Sequence, residues 1–291
     1  MSFQAQPQFQ PMTYIITGAA RGIGRHLALS LVSRGARVVL LDANMDELSN
    51  TLSLLSERQQ YRDQFVACEC DLKSRLQIRN AVDSARRFLG GRLDCLINNA
   101  MAMPHTWPHG GGMDEGDEAE IMRHWDAQIA VGLSAPFYLS RLCVPMLKRE
   151  GWKAGAKASE GDRPGCVINV SSTRATQAEM DHEGYSAAKA GLVGLTQSLS
   201  VSLGTRYGIR VNAVLPGWID VQAENKAADE KGTKWAEGIS KEEHAWQLNG
   251  RVGKPEDVME AVDYLVGSTF MTGQEITVSG GVERRMVYPE D

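Results

Sequence analysis

Short runs rich in apolar and β-branched residues alternate with amphipathic stretches along almost the whole chain. Stretches such as GIGRHLALSLVSRG and PEDVMEAVDYLVG have the apolar spacing of helices that bury one face. Continuous apolar strands that alternate with helices are typical of a parallel sheet covered on both faces, with right-handed crossovers. The sequence therefore predicts a doubly wound α/β fold with a parallel sheet of about seven strands, at residues 13–17, 36–41, 64–70, 93–98, 165–170, 209–215 and 275–281.

Composition and charge favour a small molecule as the partner. The chain has 291 residues, 43% of them hydrophobic, and a formal net charge of -5 without a long block of either sign. This argues against nucleic acid or an anionic membrane surface as the main partner. The five cysteines lack metal-ligand spacing and several lie in apolar runs, so we expect buried free thiols in a reducing compartment.

The N-terminal sequence MSFQAQPQFQPM has neither the cationic nor the apolar region of a targeting peptide. We also expect no apolar run of the roughly 18 residues that a membrane span needs. The sequence therefore predicts a cytoplasmic protein with a disordered tail over residues 1–12 and a single domain over residues 13–291.

The motif TGAARGIG follows the first predicted strand directly and opens a helix. Gly18 permits a tight turn, while Gly22 and Gly24 let the backbone approach a pyrophosphate at the helix N-terminus. Asp42 ends the second predicted strand, where its carboxylate can accept hydrogen bonds from ribose hydroxyls and would repel a 2′-phosphate. We therefore expect NAD as the cofactor, with NADP less favoured. Arg21 is either a phosphate contact or a solvated charge.

Tyr185 and Lys189 stand four positions apart in GYSAAKAG, where the other side chains are small. On a helix this spacing puts both on one face, about one turn apart. A phenol has a reference pKa near ~10, so proton exchange near neutrality needs a decrease of about 3 units. An adjacent ammonium and a cationic oxidised nicotinamide would both lower that pKa. The small residues predict that a cofactor and a neighbouring helix approach the backbone closely.

Together these motifs resemble the short-chain dehydrogenase/reductase family, which has a Rossmann fold, from about residue 13 to the C-terminus. TGAARGIG resembles the family's TGxxxGxG, and CDL, NNA, PGWI and the YxxxK pair resemble its other motifs. The resemblance places Asp71 at the adenine, Asn99 near the ribose and the Ile219 backbone at the carboxamide. It implies that the cofactor is bound by Gly18, Arg21, Gly22, Ile23, Gly24, Asp42, Asp71, Leu72, Asn99, Tyr185, Lys189, Pro216, Gly217 and Ile219.

The resemblance also implies the catalytic residues. The family's catalytic serine precedes the tyrosine by thirteen residues, and NVSS places Ser172 at that position. Ser172 would then stabilise charge on the substrate oxygen, Tyr185 would donate or accept the proton, and Lys189 would activate the phenol and bind the nicotinamide ribose. Hydride would move between the nicotinamide and a secondary alcohol or ketone. Ser279 stands where the family usually has Asp.

Gly132 is a departure, because family members usually have an Asn there that helps to hold a proton-relaying water. Pro136 lacks an N–H, so the sequence predicts a free carbonyl at residue 132 in a bent helix. Either a water bound to that carbonyl preserves the relay, or Gly132 makes room for a bulkier substrate.

Large apolar residues in or beside loops at the reacting edge suggest a cavity for a fairly large or ring-containing substrate, with ordinary packing about equally favoured for any one of them. They are Met101, Met103, Trp107, Met180, Trp218, Trp235 and Trp246. Three histidines of these loops, His105, His109 and His182, lack metal-ligand spacing, so we assign no metal site. One of them could touch the substrate, but the favoured expectation is solvated side chains.

The leading interpretation is an NAD(H)-dependent oxidoreductase. A non-redox enzyme such as a cyclase or isomerase that retains nucleotide and pocket is the alternative, and a dinucleotide-binding protein without turnover is disfavoured by the intact Ser172, Tyr185 and Lys189. The resemblance further implies a homo-oligomer, a tetramer or dimer, assembled through the helices at residues 121–150 and 184–206.

Overall fold

The predicted strands form one parallel sheet in the computed structural model, which describes residues 11–57, 59–108, 110–152 and 163–285. They are β1 (Thr13–Thr17), β2 (Arg37–Asp42), β3 (Phe65–Glu69), β4 (Cys95–Asn98), β5 (Cys166–Val170), β6 (Arg210–Pro216) and β7 (Glu275–Val278). The strand order is β3-β2-β1-β4-β5-β6-β7, and each neighbouring pair is parallel. The predicted fold class is confirmed.

The order of the strands reverses beside β1. β2 and β3 lie on one side of it, and β4 to β7 lie on the other. In doubly wound sheets, ligands bind in the crevice outside the carboxyl ends of the strands at this reversal. The glycine-rich turn leaves the end of β1 and the NNA motif leaves the end of β4, so the topology puts both at the crevice.

Helices cover both faces of the sheet. They are α1 (Gly22–Ser33), α2 (Met45–Ser56), α3 (Arg75–Phe88), α4 (Glu118–Ile129), α5 (Ala135–Leu147), α6 (Glu183–Tyr207), α7 (Lys226–Lys231), α8 (Lys241–Trp246) and α9 (Pro255–Gly267). Residues of α1, α2 and α9 share one buried cluster with Tyr14 and Ile16, and residues of α3, α5 and α6 share the other with Ile15 and Leu96. Because successive strand residues point to opposite faces, both faces need apolar side chains.

Close packing against α4 and the turn after it explains the small residues of α6. A Cβ atom added at Gly184 would lie 3.3 Å from Gln128 Cγ, and one added at Gly191 would lie 2.8 Å from Leu133 Cδ2. The helix ends at Gly208, whose φ of 67° is the left-handed conformation that favours glycine. The predicted close approach of a neighbouring helix is therefore confirmed.

One helical run contradicts an expectation drawn from the sequence. Residues 118–147 form a continuous run of α4, a π-helical turn at 130–134 and α5, and this run is long and apolar enough to cross a membrane by length and composition. The expectation that no run meets that criterion is wrong. The run contributes Leu139, Cys143 and Met146 to the buried core, and core helices of soluble proteins meet the same criterion.

The ends of the chain lie partly outside the described residues, which omit 1–10 and 286–291. The described elements run from β1 to a short helical turn at Val282–Arg284, and they contain a single sheet. The disordered tail and the single domain over residues 13–291 stay predictions.

Candidate active site

The glycine-rich turn between β1 and α1 packs closely against the residues after β4. Gly18 and Gly22 have φ values of 66° and 60°, which favour glycine. A Cβ atom at Gly18 would lie 2.9 Å from Ala100 Cα, and one at Gly24 would lie 2.0 Å from the Gly18 carbonyl oxygen. Arg21 precedes α1 without a side-chain cap, so the first N–H groups of α1, Ile23 included, have no side-chain capping partner. Such a helix end can bind a pyrophosphate.

Asp42 ends β2 with its carboxylate directed at this turn. One carboxylate oxygen accepts the N–H of Ala20 at 3.0 Å, and the other accepts the N–H of Asn44 at 2.9 Å. The Cys70 N–H donates to the Asp42 carbonyl, which brings the segment after β3, with Asp71 and the buried Leu72, to the same place. The structure therefore brings Asp42, Asp71 and Leu72 together as an adenosine site requires, while their roles stay predictions.

Asn99 links the two halves of the crevice. Its side-chain amide donates to the carbonyl oxygens of Thr17 at 3.0 Å and Gly18 at 3.2 Å. The Thr17 hydroxyl in turn accepts the N–H groups of Asn99 and Ala100. The sequence did not indicate these hydrogen bonds between the ends of β1 and β4. It assigned Asn99 only to the ribose, and that assignment stays a prediction.

Pro216 ends β6, and Gly217 and Ile219 follow it at the same edge. Gly217 N–H donates to the Val278 carbonyl, and Ile219 forms an isolated parallel bridge with Gly253. The two hydrogen bonds of that bridge are made by the residues on either side of Ile219, at 3.0 Å each. The N–H and carbonyl of Ile219 are thus not used in the bridge, and they can hydrogen-bond the carboxamide of the nicotinamide as predicted.

Ser172, Tyr185 and Lys189 come together where β5 ends against α6. Ser172 is buried, its hydroxyl accepts the Arg174 N–H at 3.1 Å, and its side chain lies near enough to Tyr185 to lower the pKa of the phenol. The Lys189 ammonium, only 3% exposed, donates to the Val170 carbonyl at 2.8 Å and lies 5.5 Å from the centre of the Tyr185 ring. Ser171 donates to the Lys189 carbonyl at 2.8 Å, as expected of a structural residue.

The protein environment raises the pKa of the Tyr185 phenol rather than lowering it. Burial is the main cause, and the nearby Ser172 side chain offsets only part of it. Burial also lowers the pKa of the Lys189 ammonium to about 8. The prediction that the neighbouring lysine gives the phenol a low pKa is therefore not met by the protein alone, because desolvation of the phenol outweighs its neighbours.

The large apolar residues predicted to line a cavity divide into two groups. Trp107 is buried and donates its indole N–H to Glu183 Oε2 at 3.0 Å, and Trp235 donates to the Gly253 carbonyl at 3.2 Å, so both are packing residues. By contrast, large parts of the side chains of Met103, Met180, Trp218 and Trp246 are exposed, and Trp218 and Trp246 line one cavity with Glu242 and Glu243.

The histidines of these loops differ from the solvated state expected of them. His105 is half-buried with its ring 4.3 Å from that of Tyr185, and His182 lies 6.1 Å from the same ring with its Nδ1 2.8 Å from the Met180 carbonyl. His109 lies outside the described residues. Arg174 forms an ion pair with Glu179 inside its own loop.

The space beside Gly132 is already filled. A Cβ atom there would lie 2.7 Å from Met101 Sδ and 2.9 Å from Ala188 Cβ. In this structure Met101 and α6 occupy the space, which argues against room for a bulkier substrate at this position. The irregular helix expected ahead of Pro136 is present as the π-helical turn, in which Ala135 N–H donates to the Ala130 carbonyl; a water at the Gly132 carbonyl stays a prediction.

The segment that follows β6 is held against the nucleotide end of the crevice by charges that the sequence did not reveal. The Glu224 carbonyl accepts the Gly22 N–H at 2.8 Å. The Arg25 guanidinium, buried on α1, pairs with Asp229 of α7 at 2.7 Å and with Glu224 at 3.4 Å. Lys226 pairs with Asp46 at the start of α2 at 2.6 Å. The segment thus lies against the nucleotide end of the crevice, where it can cover a bound ligand.

The chain is similar to known enzymes over nearly its whole length. Residues 18–283 match a family model described as enoyl-(acyl carrier protein) reductase. An uncharacterized oxidoreductase of Thermotoga maritima is 32% identical over 95% of this chain and 97% of its own. The 3-oxoacyl-[acyl-carrier-protein] reductase FabG of the same organism is 29% identical, over 92% and 96% of the two chains. A solved apo SCOR enzyme from Clostridium thermocellum is 29% identical with a TM-score of 0.72, covering 97% of both chains.

Gly132→Asn is expected to destabilise the protein by about 1–3 kcal/mol, because the side chain would overlap both Met101 and Ala188. Met101 can move, but Ala188 is fixed on α6, so Met101→Ala should recover only part of the loss. Urea unfolding measures these changes. Gly194→Asn is the matched control, since Gly194 has open space around its Cα. Equal unfolding free energies for the two asparagine variants would contradict the packing described here.

Proposed function

Because the chain belongs to the short-chain dehydrogenase/reductase family and is an oxidoreductase acting on hydroxyl or keto groups, we propose an NAD(H)-dependent enzyme for a secondary alcohol or ketone carried on a fairly large apolar or cyclic molecule. The observation that carries the proposal is the meeting of Ser172, Tyr185 and Lys189 at one edge of the sheet. That edge also carries the glycine-rich turn.

The residues at the crevice fit a dinucleotide. An added Cβ at Gly18 or Gly24 would collide with backbone, so both positions depend on glycine. The end of α1 has no side-chain cap, and although the Glu224 carbonyl accepts the Gly22 N–H, the N–H groups that follow it suit a pyrophosphate. Asp42 supports NAD over NADP, because a carboxylate attracts ribose hydroxyls and repels a 2′-phosphate. When bound, the nicotinamide supplies the acceptor or donor of hydride.

The chain's own residues position the substrate and move the proton. The Ser172 hydroxyl donates to the reacting oxygen and stabilises its developing charge. The Tyr185 phenol, which lies beside Ser172, gives the proton to that oxygen in reduction and takes it in oxidation. Lys189 keeps a positive charge beside the phenol because the Val170 carbonyl holds its ammonium.

Exposed aromatic and sulfur-containing side chains near this edge support an apolar substrate. Trp218 and Trp246 are 41% and 47% exposed and Met180 is 82% exposed, although apolar side chains of this size are usually buried. Flat aromatic walls bind rings well. The relatives named above are oxidoreductases or reductases, so none favours the non-redox alternative.

Assembly and location are further parts of the proposal. Met122, Phe137 and Val201 are exposed on α4, α5 and α6, the helices expected to form an interface. These apolar side chains support a homodimer or homotetramer. The five cysteines are unpaired, and four of them are buried, which supports a reducing compartment such as the cytoplasm.

A screen of cyclic and aromatic secondary alcohols with NAD⁺, followed by the absorbance of reduced nicotinamide, tests the reaction. With an alcohol that is oxidised, Tyr185→Phe should lower kcat by about 100- to 10,000-fold, because the proton transfer group is lost. Tyr264→Phe, at an exposed position on α9, is the control and should match the parent. Equal kcat in Tyr185→Phe and parent would contradict the assignment, and product without a change in cofactor would favour the non-redox alternative.

Asp42→Ser tests the cofactor. The ribose hydroxyls lose their hydrogen bonds to the charged carboxylate, which should lower kcat/KM for NAD⁺ by about 10- to 100-fold. The 2′-phosphate of NADP⁺ is no longer repelled by that carboxylate, which should raise the relative use of NADP⁺. The ratio of kcat/KM for the two cofactors is the measurement. Asp83→Ser, on the exposed side of α3, should leave it unchanged. A parent enzyme that prefers NADP⁺, or a ratio unaffected by Asp42→Ser, would refute the choice of NAD.

A further inference from the structure

His105 is the side chain that lies directly against the catalytic phenol. The ring centres of His105 and Tyr185 are 4.3 Å apart and their planes are inclined by 33°, so the imidazole covers one face of the phenol. At this distance the two rings are in van der Waals contact. Any substrate whose oxygen reaches the Tyr185 hydroxyl therefore comes close to the edge of the imidazole.

The position of His105 is fixed by hydrogen bonds on both sides of it. The buried Gln128 side chain of α4 donates to the Pro104 carbonyl at 2.7 Å, and His124 Nε2 lies 2.9 Å from the same oxygen. Two residues after His105, the Trp107 indole is bonded to Glu183 on α6. The loop is thus attached to both helices that flank the site, and α6 is the helix that carries Tyr185.

The ring nitrogens of His105 are available to a ligand. In the described ranges, each of the other histidines has a ring nitrogen in contact with a protein group: His26 with Glu224, His124 with Pro104, His182 with Met180 and His244 with Val252. For His105, no such contact is found among those same residues. A half-buried imidazole at a reacting edge is then left with one donor and one acceptor to offer.

The charge state of His105 limits what it can bind. Its pKa is lowered to about 4, mainly by burial, and the electrostatic interactions with Lys189, His182, Arg21 and His124 act in the same direction. The imidazole is therefore neutral near pH 7. A neutral imidazole offers no charge to a carboxylate or phosphate, and it matches a hydroxyl or carbonyl group.

We propose that His105 forms a polar subsite that hydrogen-bonds a second oxygen of the substrate, on the carbon next to the reacting one. The substrates are then vicinal diols, or ketones with an adjacent hydroxyl or carbonyl, carried on an apolar or ring-containing body. His105 is a specificity-determining residue in this account, since Ser172 and Tyr185 address the reacting oxygen. The inference rests on the proposed oxidoreductase function and deepens it.

Two alcohols that differ by one hydroxyl test the subsite: the benzylic indanol and the vicinal indanediol, each with NAD⁺. The parent should show a kcat/KM about 10-fold higher for the better diol isomer, the range of one hydrogen bond at a partly buried site. His105→Phe retains a ring over Tyr185 but has no ring nitrogen, so the preference should fall to about 2-fold or less. His105→Gln has a donor and an acceptor and should retain part of it.

His182→Phe is the matched control, because His182 also lies beside Tyr185 but its Nδ1 is in contact with the Met180 carbonyl. It should keep the preference of the parent. Near-equal kcat/KM for indanol and indanediol in the parent, or the full preference in a folded His105→Phe protein, would overturn the subsite while the oxidoreductase function stands. Failure of the parent to reduce NAD⁺ with either alcohol or with any in the wider screen would overturn the proposed function, and the subsite with it.

Discussion

The buried ammonium of Lys189 is the constraint on which the reacting edge depends. A charge with 3% of its side chain exposed is costly unless it is bonded, and the Val170 carbonyl at the end of β5 meets that need. The bond from Ser171 to the Lys189 carbonyl joins the same two elements a second time. Together they fix the start of α6 against the end of β5, which sets where Tyr185 meets Ser172.

This arrangement requires close contact between α6 and the helical run before β5. Gly184, Ala188 and Gly191 provide it, because larger side chains would push α6 away from Gln128, Gly132 and Leu133. The loop after β4 packs against these helices. Its Met101 fills the space beside Gly132, and its His105 covers the Tyr185 ring. Small residues on one helix thus determine both the position of the tyrosine and what surrounds it.

The strands, their parallel sheet and the pairing of Tyr185 with Lys189 could be predicted from the sequence, because apolar periodicity and i, i+4 spacing are local signals. The other residues at the carboxyl edge, such as Ser172 and Asn99, came from the resemblance to the family. Contacts across the fold could not be predicted. The bonds of Asn99 to the glycine-rich turn join residues 81 and 82 positions apart, and the pair of Arg25 and Asp229 joins residues 204 positions apart. Neither leaves a pattern in a single sequence.

The contact of His105 with Tyr185 was missed for the same reason, and the raised pKa of the phenol was missed because burial is a property of the whole fold.

The central claim is that the folded protein holds Tyr185 as a neutral phenol, and that the positive charge of bound NAD⁺ brings its pKa down towards neutrality. The direct test is an ultraviolet titration of tyrosinate in the parent minus Tyr185→Phe, with and without saturating NAD⁺. The account predicts a pKa above the usual ~10 for the protein alone and a decrease of at least about 1 unit with NAD⁺, larger than the decrease with NADH. The same pKa in both states, or a phenol already ionised near neutrality in the protein alone, would contradict it.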